Sequence, residues 1–174
     1  RLLGAEHPDT LTSMNNLADT LKAQGDLTGA REREEKVLDA RRRLLGAEHP
    51  DTLNSMNNLA GTLWHQGDLA GARELQEKVL ESLRRVLGAE HPKTLTSMKN
   101  LTKTLRSMGE FNLAQILGEE LLSIQTKSLG ETHPATIAAM RELGETFKQM
   151  GQTEKALELL AKAFDLQAPS TQMK

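Results

Sequence analysis

A 42-residue unit written about four times constrains this 174-residue chain more than any other feature. The block LGAEHPDTL occupies residues 3–11 and returns unchanged at residues 45–53. Variants of the block follow at residues 87–95 and 129–137, so the spacing stays at 42 residues. A fixed period of this length is typical of solenoids, in which each repeat buries its apolar face against its neighbours. We therefore expect function to lie on a surface shared by several repeats.

Composition narrows the possible classes of function. The 24 acidic and 22 basic residues leave a net charge of −2, which offers no bulk attraction to nucleic acid or to an anionic membrane. The chain has no Cys, which excludes disulfides and thiolate metal sites and suits a reducing compartment. No apolar run reaches the roughly 18 residues of a membrane-spanning helix. We predict a cytoplasmic protein that binds neither nucleic acid nor membrane.

Each repeat has the pattern of two antiparallel helices. In the first copy, Leu11, Met14 and Leu21 fall on one stripe at about 100° per residue, which indicates an amphipathic helix. Pro8 suits the first helical turn, and Gly25 suits the left-handed position that ends the helix. A second apolar stripe then indicates a longer helix. The predicted helices span residues 9–24, 27–45, 51–66, 69–87, 93–108, 111–129, 135–150 and 153–167.

The residues within each repeat carry a family resemblance. Leu17 and Ala18, followed by Leu21, match the first-helix pattern of the tetratricopeptide (TPR) repeat, and Ala30 matches the small residue on its second helix. The pattern recurs in all four copies. The usual TPR period is about 34 residues, and the longer repeat with its LG-x-x-HP junction resembles the kinesin light chain subclass. It is also similar to the arrays that follow nucleotide-binding domains in bacterial and fungal signalling proteins.

This resemblance implies an all-α fold, a right-handed α-solenoid (superhelix) of antiparallel helix pairs with about four TPR-like repeats. The expected repeats are residues 7–48, 49–90, 91–132 and 133–168, within a single array covering 1–174. Residues 1–6 are expected to end the helix of a preceding repeat, and residues 169–174 to form a tail. The chain itself is expected to be a fragment of a longer protein.

Differences between the first two copies indicate where a partner binds. Residues 1–42 and 43–84 differ at ten positions, four of them in the first helix. These four pairs are Thr12/Asn54, Asp19/Gly61, Lys22/Trp64 and Ala23/His65. They project onto one face, about 140° from the apolar stripe, and the resemblance implies that this face lines a concave groove. We predict that neighbouring repeats contact different parts of one extended partner; the alternative is free drift of exposed positions.

Extending this face through all four repeats gives the predicted groove lining. It comprises Thr12, Asn15, Asp19, Lys22 and Ala23; Asn54, Asn57, Gly61, Trp64 and His65; Thr96, Lys99, Lys103, Arg106 and Ser107; and Ala138, Arg141, Glu145, Lys148 and Gln149. The third set is basic, because Lys99, Lys103 and Arg106 share a face with no acid among them. Acidic side chains of a peptide are expected to meet these three residues.

The other residues of the groove suggest how the rest of a peptide is held. Asn15 and Asn57 recur at equal positions, and their amides can donate to and accept from a peptide backbone. An apolar or aromatic side chain is expected to pack near Trp64. The resemblance to kinesin light chain arrays, which bind peptides with a Trp among acidic residues, implies the same preference.

Several other features of the sequence resemble functional sites but are not expected to bind a metal or to catalyse a reaction. Glu6-His7 and its copies resemble metal-ligand pairs, but successive junctions lie about 10 Å apart per helix layer, against about 2.1 Å for a zinc bond. The charged runs of residues 31–36, 41–43 and 84–85 are expected to be solvated helix faces, with an interaction of the convex face with acidic partners as the alternative. His65 is the one groove histidine, and a pH-sensing role stays open. We predict no metal, no cofactor and no catalytic residues.

The leading hypothesis is a protein–protein interaction scaffold that binds an extended peptide, with apolar or aromatic and acidic residues, in the concave groove. The alternative is a structural spacer or an array that self-associates through its end repeats. That alternative includes the sensor part of a larger nucleotide-binding signalling protein. An enzyme is not expected.

Overall fold

The computed structural model describes residues 4–167, which form eight α-helices and no strand. The helices are α1 (Pro8–Ala23), α2 (Leu27–Leu45), α3 (Pro50–Gln66), α4 (Leu69–Leu87), α5 (Pro92–Ser107), α6 (Phe111–Leu129), α7 (Pro134–Gln149) and α8 (Thr153–Gln167). The all-α prediction is confirmed, and the second helix of every repeat has the predicted bounds. Every first helix begins one residue earlier than predicted. Of the predicted terminal segments, residues 1–3 and 168–174 lie outside the described residues.

The earlier start has a local cause in the His-Pro junction. His7, His49, His91 and His133 are the N-caps of the four first helices. In each, Nδ1 accepts the backbone N–H of the residue two positions ahead at 3.1–3.2 Å, which satisfies one of the free donors at the helix end. The proline between them begins the helix, where its missing N–H breaks no hydrogen bond. The junction therefore has a structural role in capping.

In repeats two and three, a buried threonine joins the first helix to the helix before it. The hydroxyls of Thr52 and Thr94 donate to the carbonyls of Gly46 and Gly88, both at 2.7 Å. Both glycines have a positive φ, 94° and 89°, which lets the chain turn sharply after the preceding helix. The repeated motif Leu-Gly-x-x-His-Pro-x-Thr thus ends one helix and begins the next with a fixed turn.

Replacing Thr94 with Val should lower the free energy of unfolding by about 1 kcal/mol, because the hydrogen bond from the buried Thr94 hydroxyl to the Gly88 carbonyl is lost while the shape is kept. Thr136 is the matched control. It occupies the same position in repeat four and is equally buried, but its hydroxyl has no hydrogen-bond partner among the described residues. Thr136→Val should be neutral or slightly stabilising. Urea unfolding followed by circular dichroism measures both, and equal losses would contradict the role assigned to Thr94.

The chain divides into two compact units, residues 1–82 and 83–174, and the boundary falls within α4. In the first unit, α2 packs against both α1 and α3. Leu11, Val37 and Ala40 form a buried cluster there, with Met14 against it. Ala30, the small residue implied by the TPR resemblance, is fully buried.

In the second unit, α6 packs against α5 and α7, and α7 packs against α8. One buried cluster contains Ile137 and Met140, and another contains Leu143 and Phe147. Leu122 of α6 contacts both clusters. The grouping of all four repeats into a single array stays a prediction.

Candidate binding surface

None of the twenty residues predicted to line the groove is buried. The exposed ones are Thr12, Asp19, Ala23, Asn54, His65, Thr96, Lys99, Lys103, Ser107, Arg141, Lys148 and Gln149. The half-buried ones are Asn15, Lys22, Asn57, Gly61, Trp64, Arg106, Ala138 and Glu145. Each first helix therefore presents its predicted face at least partly to solvent.

In repeat one, Lys22 forms ion pairs with two acidic side chains of the same repeat. Its Nζ lies 2.8 Å from Asp19 Oδ1 and 3.0 Å from Oε1 of Glu34 on α2. Glu34 is only 1% exposed, so Lys22 forms an ion pair with a buried carboxylate. Burial alone lowers the pKa of Lys22, but the two carboxylates outweigh burial and raise the pKa above the usual lysine value. Lys22 thus stabilises a buried carboxylate in its own repeat.

In repeat two, Trp64 packs edge-to-face against His65, with ring centroids 5.0 Å apart. The Nδ1 atom of His65 lies 2.7 Å from the carbonyl of Gly61, so His65 donates at Nδ1. The predicted backbone anchors Asn15 and Asn57 have buried Oδ1 atoms that accept no hydrogen bond from the described residues. A peptide backbone would reach these oxygens only after the amides rotate.

In repeat three, the basic face meets an acid that its own helix does not supply. Arg106 forms an ion pair with the carboxylate of Glu142 on α7 and donates to its backbone carbonyl at 3.1 Å. Although α5 itself places no acid among these three basic residues, α7 therefore supplies one to Arg106. Lys99 is exposed and forms no ion pair with the described residues.

Between α5, α6 and α7 lies a partly open cleft of about 370 Å³. Leu95, Leu121 and Leu143 give it apolar walls, and Lys99 stands among its lining residues. The volume is at the lower end of the range for small-molecule pockets, enough for one large side chain. The groove residues Thr96 and Ala138 also line it, so this cleft opens on the predicted surface.

A second depression of about 500 Å³ adjoins α7. It shares Ala138 and Glu142 with the cleft and adds Arg141, which is exposed. The cleft and this depression together give the second unit two neighbouring places for an extended chain, with basic side chains beside each.

Sequence reasoning missed the residues that α6 contributes to the cleft, among them Gly118, Leu121 and Gln125. It considered the first helix of each repeat alone. A signal was present, because positions 34/76 and 41/83 are among the ten that differ between the first two copies. Those positions correspond to Gly118 and Gln125 in repeat three.

Two further searches cover the described part of the chain. Residues 4–167 contain no group of three or more His, Asp or Glu side chains placed to hold a metal ion. Within the same residues, every helix is too short or too polar to cross a membrane.

The comparisons with known proteins agree with this architecture. One tetratricopeptide repeat model matches residues 51–127 and 103–168, and a second matches residues 10–51. No curated protein matches the chain. Repeats of this family generally serve as non-catalytic scaffolds for protein interactions.

Solved structures give the same result. A kinesin light chain-type protein of Podosopora anserina with nearly identical TPR-like repeats is 33% identical, with a TM-score of 0.89 over 98% of this chain and 81% of that one. A variant of that protein is 34% identical, with a TM-score of 0.89 over 95% and 78%. BtubC (BKLC) from P. vanneervenii shares the fold at 22% identity, with a TM-score of 0.84 over 93% and 65%. The predicted α-solenoid class is confirmed, and the chain belongs to the tetratricopeptide repeat family, with repeats of the kinesin light chain-like type.

Proposed function

We propose that this protein binds an extended peptide segment on the exposed face of its first helices. It acts in the cytoplasm, by binding and not by catalysis. The partner carries at least one large apolar or aromatic residue beside acidic residues. Among the predicted groove residues, Lys99, Lys103 and Arg141 contribute exposed positive charge in the second unit. Lys22 and Arg106 contribute through their ion pairs, by shaping the surface rather than by meeting the ligand directly.

The observation that carries this proposal is the cleft between α5, α6 and α7. It is apolar inside, lies on the surface that differs between repeats, and has Lys99 among its lining residues. Apolar anchors in well-packed pockets supply most binding energy in protein interfaces, while charges at the rim govern association rate and specificity. A peptide with a large apolar residue next to a carboxylate fits this combination.

Replacing Lys99 with Glu should lower the affinity for acidic peptides by about threefold to tenfold, mostly through slower association. The loss of affinity should be smaller at high salt, where the charges are screened. The probe is a set of acidic peptides selected from a random library on the full chain. Lys127→Glu is the matched control, since it changes the net charge equally from an exposed position on α6 outside the cleft. Surface plasmon resonance measures both rates, and an equal effect of both variants would contradict local recognition at Lys99.

Self-association is a second candidate, favoured by exposed apolar side chains in the first and last repeats. Leu17 is 45% exposed, whereas Leu59, at the same position in repeat two, is 6% exposed. Phe164 is 70% exposed, whereas Leu38, at its position in repeat one, is 6% exposed. A second copy of the chain would cover these side chains. Sedimentation velocity over a range of concentrations tests this, and a monomer throughout would exclude it.

A further inference from the structure

One face of α1 is exposed, although the identical face of α3 is buried. Three residues on this face of α1 are exposed: Ser13, Leu17 and Thr20. The same residue types stand 42 residues later on α3, and all three are buried there. The preceding helix α2 packs against α3, and Arg41 of α2 donates to the hydroxyl of Ser55. Helix α1 therefore presents to solvent a face that packs against a second helix elsewhere in the chain.

The last described helix, α8, presents an exposed apolar stripe. Its four members have the i, i+3, i+4 and i+7 spacing of one helix face: Leu157, Leu160, Ala161 and Phe164. Leu157 is 63% exposed and Phe164 is 70% exposed. At the position of Phe164, the second helices of repeats one and two carry Leu38 and Leu80, which are both buried.

The stripe of α8 is more apolar than the same face of the other second helices. In repeats one to three, the positions of Leu157 and Ala161 hold a polar pair one turn apart. These pairs are Arg31 with Glu35, Arg73 with Glu77 and Gln115 with Glu119. Repeat four replaces both members of the pair with apolar residues. A contiguous apolar face of this kind is typical of a surface that packs against another protein surface.

The joint between α6 and α7 shows how a second helix covers the first helix that follows it. A Cβ on Gly118 of α6 would lie 4.0 Å from the Cβ of Leu143 on α7. Leu122, one turn further along α6, packs against the buried cluster that contains Leu143. Leu143 is therefore covered by two successive turns of α6.

The repeat transfers these two contacts to α8 and α1. Leu160 and Phe164 of α8 stand at the positions of Gly118 and Leu122. Leu17 of α1 stands at the position of Leu143, three repeats earlier, and is exposed. The exposed apolar side chains of α8 and α1 thus occupy positions that contact each other in the joint between α6 and α7.

We propose that two copies of this chain associate head to tail, with α8 of one copy packed against α1 of the next as α6 packs against α7. Leu160 and Phe164 of one copy cover Leu17 of the other, and the stripe of α8 becomes buried. The proposal deepens self-association, the second function proposed above, and rests on it. Because the two faces differ, each added copy offers a new α1 and a new α8, so the assembly grows with concentration unless a ring closes.

The first experiment uses the absence of Cys from the chain, which lets single cysteines report which faces meet. A Leu17→Cys copy is mixed with an isotopically labelled Leu160→Cys copy under mild oxidation. The Cβ separation of 4.0 Å at the corresponding positions of α6 and α7 suits a disulfide. Mass spectrometry should therefore find the mixed disulfide in excess over both symmetric disulfides. Gly118→Cys combined with Leu143→Cys is the positive control, since this pair should close within one chain.

The second experiment tests the direction of the joint by sedimentation velocity. Leu17→Glu disrupts the face of α1, and Phe164→Glu disrupts the face of α8. Each should weaken association about tenfold or more, because the new carboxylate would be buried without a partner. An equimolar mixture of the two variants should form dimers and nothing larger, since each pair retains one intact joint. Ile116→Glu is the matched control: Ile116 is an exposed apolar residue of α6, and this variant should associate like the natural chain.

The outcomes separate the joint from self-association in general. Symmetric disulfides in excess, or association that persists in Leu17→Glu, would overturn the head-to-tail joint and leave self-association standing. A natural chain that stays a monomer, with random pairing of the cysteines, would overturn both. Peptide binding is tested independently, because Leu17 and Phe164 lie outside the cleft and acidic peptides should bind both variants as they bind the natural chain. Thermal unfolding of each variant shows that the fold is kept.

Discussion

Replacing Lys22 with Met should lower the free energy of unfolding by about 3 kcal/mol, because it leaves the Glu34 carboxylate buried without a counter-charge. Glu34 is 1% exposed, and Lys22 at 3.0 Å is the cation beside it. Both oxygens of Glu34 lack any other hydrogen bond from the described residues, so nothing else compensates the charge. Methionine keeps the length and apolar stem of lysine, which isolates the effect of the charge. Urea unfolding followed by circular dichroism measures the loss.

A paired variant distinguishes this cause from a general loss of packing. Repeat two carries Gln76 at the position of Glu34, and Gln76 is also buried. Lys22→Met combined with Glu34→Gln should therefore recover most of the loss, to within about 1 kcal/mol of the natural chain. A double variant as unstable as Lys22→Met alone would show that the buried charge is not the cause.

The same ion pair has a defined pH dependence. The pKa of Lys22 lies above its usual value of 10.5, since the carboxylates of Asp19 and Glu34 outweigh the effect of burial. A pKa that is raised on folding adds stability below the unfolded value and loses it as the pH rises through the folded value. The difference in the free energy of unfolding between the natural chain and Lys22→Met should thus be at its full size at neutral pH. It should become smaller only in the strongly alkaline range, where Lys22 loses its proton.

The helices and the repeat register could be predicted from the sequence because both depend on local patterns. The second helices of the first three repeats end before a glycine whose φ is positive, and the predicted bounds of all four second helices agree with the structure. The first helices begin one residue early because histidine caps them through Nδ1, a role that ordinary cap preferences for Ser, Thr, Asp and Asn do not suggest. The local rule therefore misses the helix start because an uncommon side chain performs the capping, and it also places the ends of α1, α5 and α7 one residue late.

The candidate site could be predicted in part, because exposure depends on helix periodicity but pairing depends on tertiary contacts. The periodicity placed Lys99 on an accessible face, and the structure leaves it exposed. It could not show that Glu142 of the next repeat meets Arg106, or that α6 contributes Gly118 and Gln125 to a cleft. Those relations join residues about one repeat apart, so no pattern within a single helix contains them.

The second large effect on stability is expected in repeat four, where α7 and α8 approach each other closely. Gly144 of α7 is buried, and a Cβ at this position would lie 2.7 Å from Cγ of Leu160 on α8. Gly144→Thr should therefore lower the free energy of unfolding by about 3 kcal/mol, the upper range for overpacking, since Leu160 must leave its position. Gly61→Thr is the control: glycine there is also helical, but an added Cβ meets nothing within 4 Å, so the change should stay within about 0.5 kcal/mol.

The repeats themselves supply the compensating change. Repeat three has Thr102 and Gly118 at the positions of Gly144 and Leu160, so each repeat that enlarges one side chain reduces the other. Gly144→Thr combined with Leu160→Gly should be about 2 kcal/mol more stable than the sum of the single effects, within the range measured for residues in contact. Urea unfolding of the four proteins of this cycle measures the coupling. Additive effects would mean that the two positions adapt separately, and the size compensation between helices would then be coincidental.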